Sequence, residues 1–208
     1  MQFDTVQFRT TDGLTLHGDL VVPSPHRGAA VVCHPHPLYG GDRFNPVVQA
    51  VADACITAGL ATLRFDFRGV NLSEGTHGEG KTEHLDVLAA LEFVAQQRDD
   101  GILLLAGYSF GSMMALAVAD PSVSAWLAVA PPIGMIPTPP ASARDPRPKH
   151  LLVPEHDQYS PPAATSAATT DWTNTTMSTI AMGDHFLAGR LSEVGNQAAA
   201  FIAALVAR

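Results

Sequence analysis

Gly107-Tyr108-Ser109-Phe110-Gly111 is the stretch from which the rest of this 208-residue chain is read. It follows the apolar run Ile102-Leu103-Leu104-Leu105-Ala106 and precedes the helix-forming run Ser112-Met113-Met114-Ala115-Leu116-Ala117-Val118-Ala119. Strand, five-residue turn and helix form the context in which a G-x-S-x-G motif acquires meaning. Alone, the motif occurs often by chance; here it predicts a nucleophile elbow rather than a surface turn. The two glycines have no Cβ to clash, so the chain can turn sharply. The serine hydroxyl then projects from the end of the sheet. Unaided it is a poor nucleophile, so other segments must supply a base, an acid and an oxyanion site.

Working outward, Thr5 to Arg9 and Leu14 to Val22 flank the turn signal Thr11-Asp12-Gly13 and predict an antiparallel hairpin. Ala29 to Cys33 is apolar throughout, as expected of a central strand covered on both faces. It ends in His34-Pro35-His36-Pro37-Leu38-Tyr39-Gly40-Gly41, which only a loop accommodates. Val47, Val48, Val51, Ala52, Cys55 and Ile56 then recur at helical intervals up to Gly59. Leu60 to Phe67 predicts a strand, and Thr82 an N-cap for a helix presenting Leu85, Leu88, Leu91 and Val94. Asp99-Asp100-Gly101 predicts the turn into the elbow strand. Val123 to Ala130, His150 to Val153 and Thr175 to Ala181 predict further strands. Pro161 to Thr170 predicts a short helix, and Leu187, Leu191, Val194, Ala198, Phe201, Ile202 and Leu205 a terminal one. Alternation of this kind indicates a single α/β domain over 1–208, with a mostly parallel sheet and helices on both faces.

On such a sheet the acid and base follow the serine on later loops, in the order serine, acid, histidine. Candidates stand in that order. Pro154-Glu155-His156-Asp157 leaves one strand, and Met182-Gly183-Asp184-His185-Phe186 leaves the next. His185 is the expected base and Asp157 the expected acid, with Glu155 the first alternative and Asp184, adjoining the histidine, the second. The oxyanion requires two backbone N–H donors. Phe110, which follows the nucleophile, should give one. The loop after Cys33 should give the other; Pro35 and Pro37 have no N–H, so His36 comes first and Leu38 next.

Composition narrows the classes. A formal net charge of −8 argues against a nucleic-acid partner, and 46% hydrophobic with 15% charged residues argues against disorder. Cys33 and Cys55 read as reduced core thiols. The start, Met1-Gln2-Phe3-Asp4, has no basic segment followed by an apolar stretch, and no apolar run approaches membrane-spanning length, so a cytoplasmic chain without a membrane partner is expected. His34 and His36 show none of the ligand spacing a metal site needs, and no cofactor is expected.

In these segments the chain resembles the α/β-hydrolase superfamily, specifically its small, lidless bacterial serine hydrolases near the dienelactone-hydrolase-like esterases. The resemblance rests on His34 to Gly41, Leu63-Arg64-Phe65-Asp66-Phe67-Arg68-Gly69-Val70, Ser73-Glu74-Gly75, the elbow, Glu155-His156-Asp157 and Asp184-His185-Phe186. It implies an α/β-hydrolase fold without a cap domain and a Ser109-Asp157-His185 triad. Two positions depart from the relatives' pattern: Pro154 stands where glycine is usual three residues before the acid, and Asn71 where glycine is common after Arg-Gly-Val.

The proline-rich stretch 133–148 lies where many relatives insert a helical cap. Its brevity predicts a shallow, open site lined by Leu38, Tyr39, Phe110, Met113, Ile133, Met135, Ile136, Tyr159 and Phe186. Arg68 is expected to pair with a carboxylate such as Glu74. The expected activity is hydrolysis of small or short-acyl carboxylic esters through an acyl-enzyme, by a monomer or homodimer. Thioesters, lactones or dienelactones and small amides need the same machinery; a catalytically silent fold that binds a ligand or partner is the other class.

Overall fold

The structure, a computed structural model, describes residues 3–97, 101–135 and 138–207. Met1, Gln2, the Asp99-Asp100 part of the predicted turn and Ile136 lie outside them. Eight strands form one sheet in the order β1-β2-β4-β3-β5-β6-β7-β8. β1 (Asp4–Arg9) and β2 (Thr15–Val21) are the predicted hairpin, and β2 lies antiparallel to β4 (Ala61–Phe65). From β4 onward the sheet is parallel, through β3 (Gly28–Cys33), β5 (Ile102–Tyr108), β6 (Ala125–Val129), β7 (Lys149–Pro154) and β8 (Thr175–Ile180). Parallel strands need crossovers, so the loops at their carboxyl ends collect on one edge.

Helices cover both faces. α1 (Pro46–Thr57) and α5 (Leu191–Val206) pack on one, α2 (Glu83–Ala95) and α3 (Phe110–Ala117) on the other. Successive residues of β3 divide between them, with Ala29, Val31 and Cys33 toward α2 and α3, and Ala30 and Val32 toward α1 and α5. This two-sided burial explains the unbroken apolar run, and it pushes both cysteine thiols well above their ordinary pKa. Asn45 caps α1, its side chain accepting from the Val47 amide at 2.9 Å, with Pro46 in the first helical position. The short α4 (Pro162–Ala168) lies near its predicted place. The stretch after β6 carries two 3₁₀ turns, Ile133–Met135 and Ala141–Arg144.

The face of α2 differs from expectation. Leu85 and Leu88 are only half-buried, whereas Glu83, Asp86, Val87, Ala90, Leu91 and Val94 are buried. Two carboxylates therefore turn inward, which a purely apolar stripe does not anticipate. Asp86 is met by the Arg68 guanidinium and backbone amide, and Glu83 by amides of the preceding loop. Thr82 occupies the N-cap position but its side chain makes no capping bond. Arg68 pairs with Asp86 and Asp12 rather than Glu74, whose carboxylate instead accepts from the Thr15 amide at 2.7 Å.

Candidate active site

The turn between β5 and α3 is sharp because of the serine itself. Ser109 has φ 51 and ψ −119, a conformation that costs a non-glycine residue on the order of 1–3 kcal/mol. The flanking glycines supply clearance. A Cβ on Gly107 would collide with the Gly111 carbonyl, and one on Gly111 with the carbonyl oxygens of Cys33 and His34. The Ser109 amide donates to the Val129 carbonyl at 2.9 Å, fastening the elbow to β6.

Loops after β7 and β8 bring two further side chains to the serine. Ser109 Oγ lies 2.8 Å from His185 Nε2, and His185 Nδ1 lies 2.8 Å from Asp157 Oδ2. The other oxygen of Asp157 accepts from the amides of Tyr159 at 2.8 Å and Ser160 at 3.0 Å. A carboxylate pinned by two amides cannot swing away from the imidazole. His185 is held in turn: its carbonyl accepts from the Tyr108 hydroxyl at 2.9 Å, its amide donates to Gln158 Oε1, and the Tyr159 ring stands edge-on to it at 4.6 Å. Burial, with Asp157 and Asp184 nearby, raises the Tyr108 pKa and keeps its phenol a neutral donor. The alternative acids are engaged elsewhere. Glu155 accepts from the Met182 amide at 2.7 Å, and Asp184 Oδ1 from those of Phe186 and Leu187. Pro154 ends β7, and its carbonyl accepts from the Asp157 amide, so the acid turn forms without glycine there. Asn71 itself adopts φ 49, the conformation that makes glycine common at that position.

The loop after β3 is built around its two histidines. His34 is fully buried; its Nδ1 lies 2.7 Å from the Pro35 carbonyl and its Nε2 accepts from the Phe67 amide at 3.0 Å. Burial holds its pKa down at about 4, so it is a neutral latch between the β3 and β4 loops. His36 Nδ1 accepts from the Leu38 amide at 3.2 Å, and the Tyr39 and Gly41 amides both reach the His36 carbonyl. Leu38 N–H is thus engaged, whereas the amides of His36 and Phe110 have no acceptor among the described residues.

A cleft of about 1130 Å³ opens in front of Ser109. Leu38, Tyr39, Met113, Tyr159 and Phe186 line it as anticipated. Ile133 does not; it is buried in the core, packed beneath the turn from which Pro132 and Met135 face the cleft. His77 and Met114 also line the cleft and were not among the expected residues. For Met114 helical spacing from Phe110 was an available signal; for His77 only its place in the Gly-rich run before α2. Among the described residues no cluster of three or more His, Cys, Asp or Glu side chains could hold a metal ion, and no helix is long and apolar enough to cross a membrane.

The profile of the X-Pro dipeptidyl-peptidase (S15) family matches residues 12–139. An α/β serine hydrolase homologue from Coxiella burnetii superposes with a TM-score of 0.87 at 29% identity, covering 97% of this chain and 98% of that one. XC6422 from Xanthomonas campestris, an α/β serine hydrolase without a lid, gives 0.85 at 26% identity, covering 98% and 95%. Protein RP471 of Rickettsia prowazekii is 37% identical over 116 residues; the match takes in 54% of this chain and about half, 49%, of that protein.

Proposed function

The chain belongs to the X-Pro dipeptidyl-peptidase (S15) family and is a small α/β serine hydrolase, and from that premise we propose that it cleaves carboxylic esters through an acyl-enzyme on Ser109. The observation that carries this reading is the unbroken chain from Ser109 Oγ through His185 to Asp157, both links at 2.8 Å. As Ser109 Oγ attacks the ester carbonyl, His185 Nε2 takes its proton, and Asp157 holds the Nδ1 proton and stabilises the imidazolium. The tetrahedral oxyanion receives the Phe110 and His36 amides. On collapse His185 returns the proton to the departing alkoxide. Water then enters by the same route, releasing the acid and restoring Ser109. The apolar cleft favours an apolar acyl or alcohol group, and its volume admits groups larger than acetyl.

A second reading comes from the family's own description, release of X-Pro dipeptides, which needs the same acyl transfer but a carboxylate to receive the peptide's amino terminus. Glu79 is the acidic residue among those lining the cleft, and it is exposed and paired with Lys81 at 2.8 Å. That arrangement favours the ester. A fluorophosphonate probe should label Ser109 by mass spectrometry, with the label lost in Ser109→Ala and His185→Ala. p-Nitrophenyl esters of increasing acyl length, thioesters, lactones and an X-Pro p-nitroanilide then compete as substrates. Absence of label on folded protein would leave a silent, ligand-binding fold; faster turnover of the anilide would replace the esterase with a peptidase.

A further inference from the structure

A second histidine–carboxylate pair faces the same cleft from the loop before α2. Glu83, the first residue of that helix, is fully buried. The segment Gly78-Glu79-Gly80 wraps its carboxylate: the Gly78 amide donates to Oε1 at 2.6 Å and the Gly80 amide to Oε2 at 3.0 Å. The wrap is tight, with Glu79 and Gly80 at φ 58 and 79, and a Cβ on Gly78 would collide with Thr82 Oγ1. His77 Nδ1 lies 2.8 Å from Glu83 Oε1, an ion-pair distance with the ring's N–H direction off line. With Glu83 Oε1 beside it, Nδ1 is the ring nitrogen placed to carry the hydrogen. His77 lines the cleft; Nδ1 is the ring nitrogen buried without a hydrogen bond, and Nε2, which makes none among the described residues, is not buried with it.

Beside it stands His36. The two ring centroids are 4.9 Å apart, and both rings rest on Phe110, the residue after the nucleophile. His36 Nδ1 accepts the Leu38 amide, so in the neutral ring Nε2 carries the hydrogen. Burial lowers the His36 pKa, which favours that neutral form. The cleft wall on this side therefore offers a nitrogen donor next to a nitrogen acceptor, with Phe110 and Tyr39 beside them. A hydroxyl, donor and acceptor at once, is the group this pair completes. A carboxylate would meet the His77 lone pair with Glu83 behind it.

We propose that His77, positioned by Glu83, is a specificity-determining residue that binds a hydroxyl group of the substrate on the oxyanion side of the cleft. The inference rests on the esterase reading. The aromatic surroundings from His36, Tyr39 and Phe110 suit a flat ring bearing that hydroxyl.

The test compares methyl 3-phenylpropionate with its 2-, 3- and 4-hydroxyphenyl and 4-carboxyphenyl analogues. In the wild type one hydroxyl isomer should exceed the parent about tenfold in kcat/KM, the worth of one hydrogen bond, and the carboxyl analogue should fall below it. His77→Phe, which keeps a flat ring, should bring the hydroxyl ratio to about one, and His77→Gln, with its own donor and acceptor, should restore part of it. Should the phenylalanine fail to fold, His77→Leu gives the same reading. Equal rates for all hydroxyl isomers and the parent would overturn the proposal, as would a preference that survives in His77→Phe. A wild type inactive on every ester and unlabelled by fluorophosphonate would instead overturn the esterase reading beneath it.

Discussion

Two imidazoles stand against two buried carboxylates beside one cleft, one joined by a hydrogen bond and the other at the same distance but out of line. Asp157 is pinned by the amides of Tyr159 and Ser160, Glu83 by those of Gly78 and Gly80. In each a ring nitrogen lies 2.8 Å from the carboxylate. They part at the far nitrogen. His185 Nε2 meets the hydroxyl of a serine held in a strained turn, and His77 Nε2 meets the open cleft. The lesson is that a histidine–carboxylate pair is not in itself reactive machinery. In the proposed reading its role is set by what the outer nitrogen reaches: the attacking serine in one pair, a substrate hydroxyl in the other.

The sharpest way to break this comparison is to remove the inner carboxylate on each side. Asp157→Asn should lower kcat by about four orders of magnitude, since the amide holds the wrong tautomer of His185; stopped esterase assays with active-site titration measure it. A loss under tenfold would mean that Asp157 does not orient the base.

A third histidine, held by backbone groups, bears on stability. His34 is buried neutral with a pKa near 4, against about 6.5 when unfolded. Between those values the unfolded chain binds more protons, so stability rises with pH and is lost as pH falls, by about 3 kcal/mol from pH 6.5 to 4. Urea melts of wild type and His34→Gln across that range should show the slope shrinking in the variant.

Glu83→Gln preserves shape but turns an amide N–H₂ toward a backbone donor that the carboxylate had accepted. It should cost about 1–3 kcal/mol in urea unfolding, with kcat on p-nitrophenyl acetate falling far less than in Asp157→Asn. The smallest effect is expected at the excluded acids. Glu155→Gln and Asp184→Asn, each engaged with loop amides, should retain kcat within about twofold; a drop like that of Asp157→Asn in either would move the acid.

What could be read from the chain alone divides along the same line. That Ser109, Asp157 and His185 meet was legible because a strand–turn–helix frame and a fixed order of loops constrain them together. The strands were legible because residues such as Ala29 to Cys33 are covered on both faces and leave no polar alternation. The face of α2 was not, since Glu83 and Asp86 turn inward to partners 3 to 18 residues away, and apolar periodicity assigns such residues to solvent. Arg68 was misassigned for the same reason: its partners Asp12 and Asp86 are brought in by the hairpin and by α2, whereas Glu74 was merely near in sequence. His77 had no periodic or spacing signal, and only the fold shows that a glycine-rich run curls back on the first residue of the next helix.

Gly111 carries a last consequence. Its α-carbon rests directly against the main chain at the end of β3, so the helix bearing the Phe110 amide and the loop bearing the His36 amide meet backbone to backbone. The spacing between those donors is therefore gauged by peptide units, whose dimensions do not vary with side chain. Residues around the cleft can be exchanged for larger, smaller or more polar ones without moving that gauge. In the proposed reading, the two amides that receive the oxyanion keep their spacing whatever side chains line the cleft.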